Sequence, residues 1–153
     1  MVMKAAWVAC VAALVGGGLA VRALGADAPA ETGVQKQSSE NLKKVLIAGV
    51  MYANEHFDKW PAKLDELVGG DLLNDKSVLV DPADPKKRAW VYHPWTPEQQ
   101  NKLDSGTTPV VWSPIDDPKA DRHVGFLDGH VEVVHGKADL DKLVAAAEAA
   151  AKK

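Results

Sequence analysis

The stretch His123-Val-Gly-Phe-Leu-Asp-Gly-His-Val-Glu-Val-Val134 decides the fold. Two runs rich in β-branched and aromatic residues flank Asp128-Gly129, and such a pair is the strongest short-range signal for a two-residue hairpin turn. With Asp128 and Gly129 in the turn, Leu127 pairs with His130, Phe126 with Val131, Gly125 with Glu132, Val124 with Val133 and His123 with Val134. Paired residues share a face. One face is then Val124, Phe126, Val131 and Val133, wholly apolar and in need of a core. The other carries His123, Leu127, His130 and Glu132 and reads as a solvent face or polar rim. Gly129 supplies the positive φ that the turn demands.

Upstream of the hairpin, residues 88–93 read as a strand with Trp90 and Tyr92 on one side, ended by Pro94, and residues 109–113 as another, ended by Pro114. Asp81-Pro82 and Asp84-Pro85 mark turns, with Val78 to Val80 a short extended piece, and residues 94–108 form a polar loop. Further back, Leu42, Val45, Leu46, Gly49, Val50, Ala53 and Phe57 recur at helical spacing behind a cap at Ser38 or Ser39, and this stripe predicts the main buried helix, stopping near Asp58. Pro61 opens a second short helix with Leu64, Leu67 and Val68 on its stripe and Gly69-Gly70 at its end, and Trp60 packs where the two helices meet. Downstream, the alanine-rich end from Asp139 carries a thin stripe of Leu140, Leu143, Val144 and Ala147 that docks weakly or frays. The expected class is α+β: an N-terminal amphipathic helix on a small antiparallel sheet, residues 38–136, followed by a C-terminal helix, residues 137–153.

Residues 1–25 read as a targeting segment: Lys4, an uncharged apolar stretch from Ala5 to Val21, Arg22, then small residues. They are expected to act as a signal peptide cut after Gly25 or Ala26, or as a membrane anchor through residues 5–21, which places the body in the periplasm or cell envelope. Residues 26–37, small, polar and aperiodic, read as a flexible linker outside the core. The only cysteine, Cys10, lies in the targeting segment, so the body is expected to be held by packing without an internal disulfide. Removing Lys4 and Arg22 takes the formal charge from −3 to −5, and a mildly acidic body lacks the basic footprint of a nucleic-acid binder.

Asn41-Leu42-Lys43 opening an amphipathic helix, Tyr52 and Asn54 near its end, Trp60-Pro61 followed by Leu64-Asp-Glu-Leu67, and the final Phe126-Leu-Asp-Gly-His-Val-Glu132 occur in this order. Together they resemble the globular part of type IV pilin-like proteins, specifically the general secretion pseudopilin and planctomycete-type prepilin-like relatives, over residues 38–135. No Gly-Phe-Thr-Leu-Ile-Glu type cleavage motif precedes the helix, and Pro118 stands where the prepilin-like relatives carry a histidine ten positions before the Asp-Gly pair. The resemblance implies a pilin-like fold and a non-enzymatic envelope component of type II secretion kind, whose partners are other envelope or secretion proteins.

Chemistry-bearing residues give an alternative, an exported domain that binds calcium or zinc, with catalysis at the metal as an option. His123 and His130, with Asp128, offer imidazole and carboxylate to a transition ion, but at about 3.3 Å rise per residue the two histidines sit at opposite ends of the hairpin. Asp116, Asp117, Asp121 and Asp128, together with Asp81 and Asp84, offer loop oxygens of the kind calcium prefers, and the resemblance implies a calcium loop in this region. No nucleophile elbow, phosphate loop or His-Glu-x-x-His motif is present, so no catalytic residue is assigned and the chain is read as no enzyme. Of the four tryptophans beyond the targeting segment, three are expected in the core. Trp95, in a loop between prolines, is the one expected to be partly exposed and available to a partner.

Overall fold

The protein is described by a computed structural model over residues 32–69 and 71–153. The targeting segment, its cleavage point, Cys10, residues 26–31 of the linker and Gly70 lie outside the described residues. Among those described, no helix is long and apolar enough to cross a membrane.

The first helix, α1 (Gly33–Glu55), begins in the expected linker. Thr32 caps it: the threonine hydroxyl accepts the Gln35 backbone N–H at 3.4 Å, and the Gln35 side chain accepts the Thr32 N–H at 3.0 Å. This reciprocal box satisfies two donors that a helix start otherwise leaves orphaned. Residues 33–37 are therefore helical, and Ser38, expected as a cap, becomes a buried residue on the inner face of α1 beside Leu42, Val45, Leu46 and Gly49. At the other end the Asp58 N–H returns to the Ala53 carbonyl at 2.9 Å, a Schellman closure with Phe57 in the left-handed region at φ 58°. Phe57, expected on the buried stripe, is instead 92 % exposed, because the helix ends before its turn could carry it inward.

The sheet is a four-stranded antiparallel meander of β1 (Val91–Tyr92), β2 (Pro109–Trp112), β3 (Asp121–Phe126) and β4 (Val131–His135), in that spatial order. All four expected strands exist, though β1 is short. The expected second helix is a single 3-10 turn, Leu64–Leu67, with Leu64 and Leu67 buried, and a second such turn, Lys76–Leu79, occupies part of the expected extended piece. Within the loop 94–108, Thr96 caps one helical turn, α2 (Pro97–Gln100).

The hairpin register differs from the expected one by one residue: Gly125 pairs with Val131, Val124 with Glu132, His123 with Val133 and Arg122 with Val134. Phe126 donates to His130 O at 3.0 Å and Gly129 to Phe126 O at 2.9 Å, so the loop is three residues, Leu127-Asp128-Gly129, with Gly129 at φ 91°. Successive strand N–H groups point to opposite neighbours. Because the Leu127 N–H is taken by Thr108 O on the β2 side at 3.1 Å, it is Phe126 that bonds across to β4. A one-residue slip turns every β4 side chain over. The apolar set Val124, Phe126, Val131 and Val133 is thereby split: Val134 is buried instead, and Val133 is 38 % exposed.

Both faces of the sheet are covered. A Cβ on Gly125 would lie 2.6 Å from Leu46 Cδ1, so Gly125 faces α1 and its neighbours Val124 and Phe126 face away. Those two side chains, with Val134, pack against Leu140, Leu143 and Val144 of α3 (Gly136–Ala151) rather than against the Leu42 stripe. The C-terminal helix, expected to dock weakly, closes the second face, with Leu140, Ala147 and Ala151 buried. The larger core joins Leu42, Val45 and Leu46 to Leu64, Leu67, Trp90, Trp95 and Val111. Trp60 packs on Gly49 at the helix junction, as expected, since a Cβ there would meet its ring at 2.5 Å.

Candidate functional site

Of the candidate ligands, Asp117, Asp121 and His123 line one cavity of about 490 Å³ beside Thr32 and Ile115, whereas Asp116, Asp128 and His130 lie outside it. Asp116 receives Lys86 Nζ at 2.7 Å and Arg88 Nη1 at 2.6 Å, and these two cations hold its carboxyl below the usual range. Asp117 accepts the Lys119 N–H at 2.9 Å in a turn. Asp121 pairs with His135 at 2.7 Å, and the carboxylate raises the imidazole's pKa through that hydrogen bond. Asp128 meets His130 Nδ1 at 2.5 Å, and the same ring stacks on Phe126 with centroids 4.4 Å apart and reaches Glu132 at 3.5 Å. His123, expected on the solvent face, is 3 % exposed because β3 is an interior strand beneath α1. Among the described residues, no group of three or more His, Cys, Asp or Glu side chains is arranged to hold a metal ion.

Trp95 is a second correction. It is 3 % exposed, and its indole N–H donates to Pro109 O at 2.9 Å. The capped turn α2 follows it directly, with Gln100 Nε2 donating to Trp95 O at 2.7 Å, and the ring itself joins the larger core. Trp90 and Trp95 are core, whereas Trp60 and Trp112 are partly buried.

Several polar contacts were invisible to sequence spacing. Ser38 Oγ donates to the buried Asp81, and the Ala83 N–H reaches both, at 3.1 Å to Ser38 and 2.9 Å to Asp81, tying α1 to the Asp-Pro turns. Buried Asp84 accepts from Arg88 Nε at 2.9 Å, Arg88 Nη2 at 2.8 Å and the Arg88 backbone at 2.9 Å, and the guanidinium lowers its pKa to about 2. Buried Arg122 donates to the carbonyls of Ala120, Ile115 and Asp117 at 2.6 to 2.9 Å and clamps the loop before β3. The signals were partial. Thr32-x-x-Gln35 is a readable capping box, but which aspartate meets which arginine is set by loop paths.

One open surface is an apolar groove of about 490 Å³ beside β1, with a wall of Leu64, Leu79, Val80, Trp90, Tyr92 and Pro94. Its aromatic polar ends are spent inward: the Trp90 indole donates to Val78 O at 2.9 Å and the Tyr92 hydroxyl to Pro61 O at 2.6 Å. Burial pushes the Tyr92 hydroxyl up, beyond any physiological titration. What the groove presents is therefore oily area, with Lys63, Asp65 and Lys76 at its rim, the last two paired at 2.8 Å. Five residues before Ala62, which also lines the groove, stands Phe57, exposed and in a left-handed conformation costing about 1–2 kcal/mol in a residue with a Cβ. Comparison with protein families, with curated proteins and with solved structures gives no match.

Proposed function

We propose that this chain is an exported, non-enzymatic component of the cell envelope that binds or scaffolds other proteins in the manner of a pseudopilin. One observation carries the reading: α1 lies along an antiparallel meander, the arrangement the ordered pseudopilin-like motifs imply. Two features support the protein-binding part. The outward side of α1 keeps Ile47 and Met51 exposed, and the groove beside β1 offers apolar area without a convergent polar constellation. The apolar stretch from Ala5 to Val21 supports the export part.

Fractionation of expressing cells with intact-mass measurement tests the export reading. The expected result is a mature species beginning near residue 26 in the periplasmic or envelope fraction, or the full chain in membranes. An unprocessed chain confined to the cytosol would refute export. Elemental analysis of the same material tests the alternative: stoichiometric calcium or zinc, lost on replacing Asp116, Asp121 or Asp128 by Asn, would replace scaffolding with metal binding.

A further inference from the structure

Phe57 joins an exposed aromatic side chain to a backbone conformation that phenylalanine resists. It is 92 % exposed, so it buries almost nothing. It occupies the residue just past the helix cap, where the Schellman closure needs the left-handed conformation that glycine adopts freely and phenylalanine resists. Asp58 follows in the same conformation at φ 61°, so the chain holds the ring out on a strained corner. The closure requires this backbone but not a phenylalanine, and a strained residue where glycine would serve is a pointer to use.

Close by along the chain lies a groove that could receive such a ring. The groove walled by Trp90, Tyr92 and Leu64 is about 490 Å³ and apolar, ample for a benzyl group. Charges match as well. Phe57 is flanked by exposed Glu55, Asp58 and Lys59, a net acidic surround, while the groove rim holds Lys63, Lys76 and Asp65, a net basic one. Knob and socket are also neighbours: five residues span at most about 18 Å between Phe57 and Ala62. Complementary features this close together suit a two-fold pair, in which each copy gives its knob and receives the other's.

We infer that the occupant of the β1 groove is Phe57 of a second copy of this chain, making a closed, reciprocal homodimer. The inference rests on the protein-binding part of the proposed function and is independent of export. Loss of pairing would leave the fractionation result standing, and a cytosolic chain would leave the pairing standing.

The test is sedimentation of the full chain in mild detergent, alongside variants chosen to keep the fold. Phe57→Gly is expected to weaken dimerisation at least about tenfold while raising the melting temperature of the monomer, since glycine relieves the corner. Ala89→Glu, on the exposed wall of the groove, is expected to abolish pairing without unfolding. Lys63→Glu with Lys76→Glu is expected to weaken pairing, and adding Glu55→Lys and Asp58→Lys in the same chain to restore it. Benzoylphenylalanine at position 57 is expected to photocrosslink to residues 62–94 of another copy. A wild-type chain that stays monomeric, a Phe57→Gly chain that pairs as well as wild type, or crosslinks that land only elsewhere or on a different protein would each overturn the inference.

Discussion

At the scale of single residues, close approaches and buried ions govern what can change. Gly49 exists because Trp60 sits on it: a Cβ would be 2.5 Å from the ring, and the ring is wedged at the helix junction. Gly49→Ala is expected to cost about 1–3 kcal/mol through overpacking, read as a lower urea midpoint with unchanged slope. Asp84 makes acid stability residue-specific. Its folded pKa is about 2 against an ordinary 3.8, so its contribution is fully present above about pH 3.8 and is lost as pH falls through about 2. Asp84→Asn is therefore expected to lower stability at neutral pH by up to about 2 kcal/mol and to flatten the dependence on pH in that acid window. Denaturant melts at stepped pH values check both. Sequence reading marked Asp84 as a turn residue, which it is, but its salt link to Arg88 needed the turn's actual path.

At the scale of elements, the hairpin and the last helix are coupled. Val134 joins Val124 and Phe126 on the α3 face only because the three-residue loop shifts β4 by one position, and α3 in turn buries Leu140 among them. Leu140→Ala is expected to destabilise the protein by about 2–4 kcal/mol by opening a cavity in this small second core. Hydrogen exchange should then show lost protection in α3 and β4 together. Protection lost in α3 alone would mean that the helix is an appendage. The strands, the turn glycine and the amphipathic stripe of α1 were legible because alternation, turn chemistry and helical spacing are local. The loop length was not, because Asp-Gly suits either a two-residue turn or the end of a three-residue one. Hydrogen bonding from Leu127 to Thr108, a partner nineteen residues away, selects between them.

At the scale of the whole molecule, the proposed pairing makes stability depend on concentration. A protein that associates only when folded gains stability by mass action. The wild-type melting temperature is expected to rise with protein concentration, whereas that of Phe57→Gly starts higher at dilution and stays flat. Crossing of the two curves measures where association outweighs backbone strain. Parallel curves would mean that Phe57 plays no part in association.

Composition, periodicity and turn residues alone determined that this chain makes an α+β domain with a long amphipathic helix, an antiparallel sheet and a helical end, because each rests on forces acting within a few residues. Tertiary structure decided which face of β4 is buried, that Trp95 is enclosed, that His123 lies beneath α1, and that Phe57 stands in water. Those outcomes depend on which distant carbonyl takes a given N–H and on which surface a second helix covers. Spacing along the chain carries no record of such choices, since they are settled only when the elements compete for one another's backbone groups and apolar area.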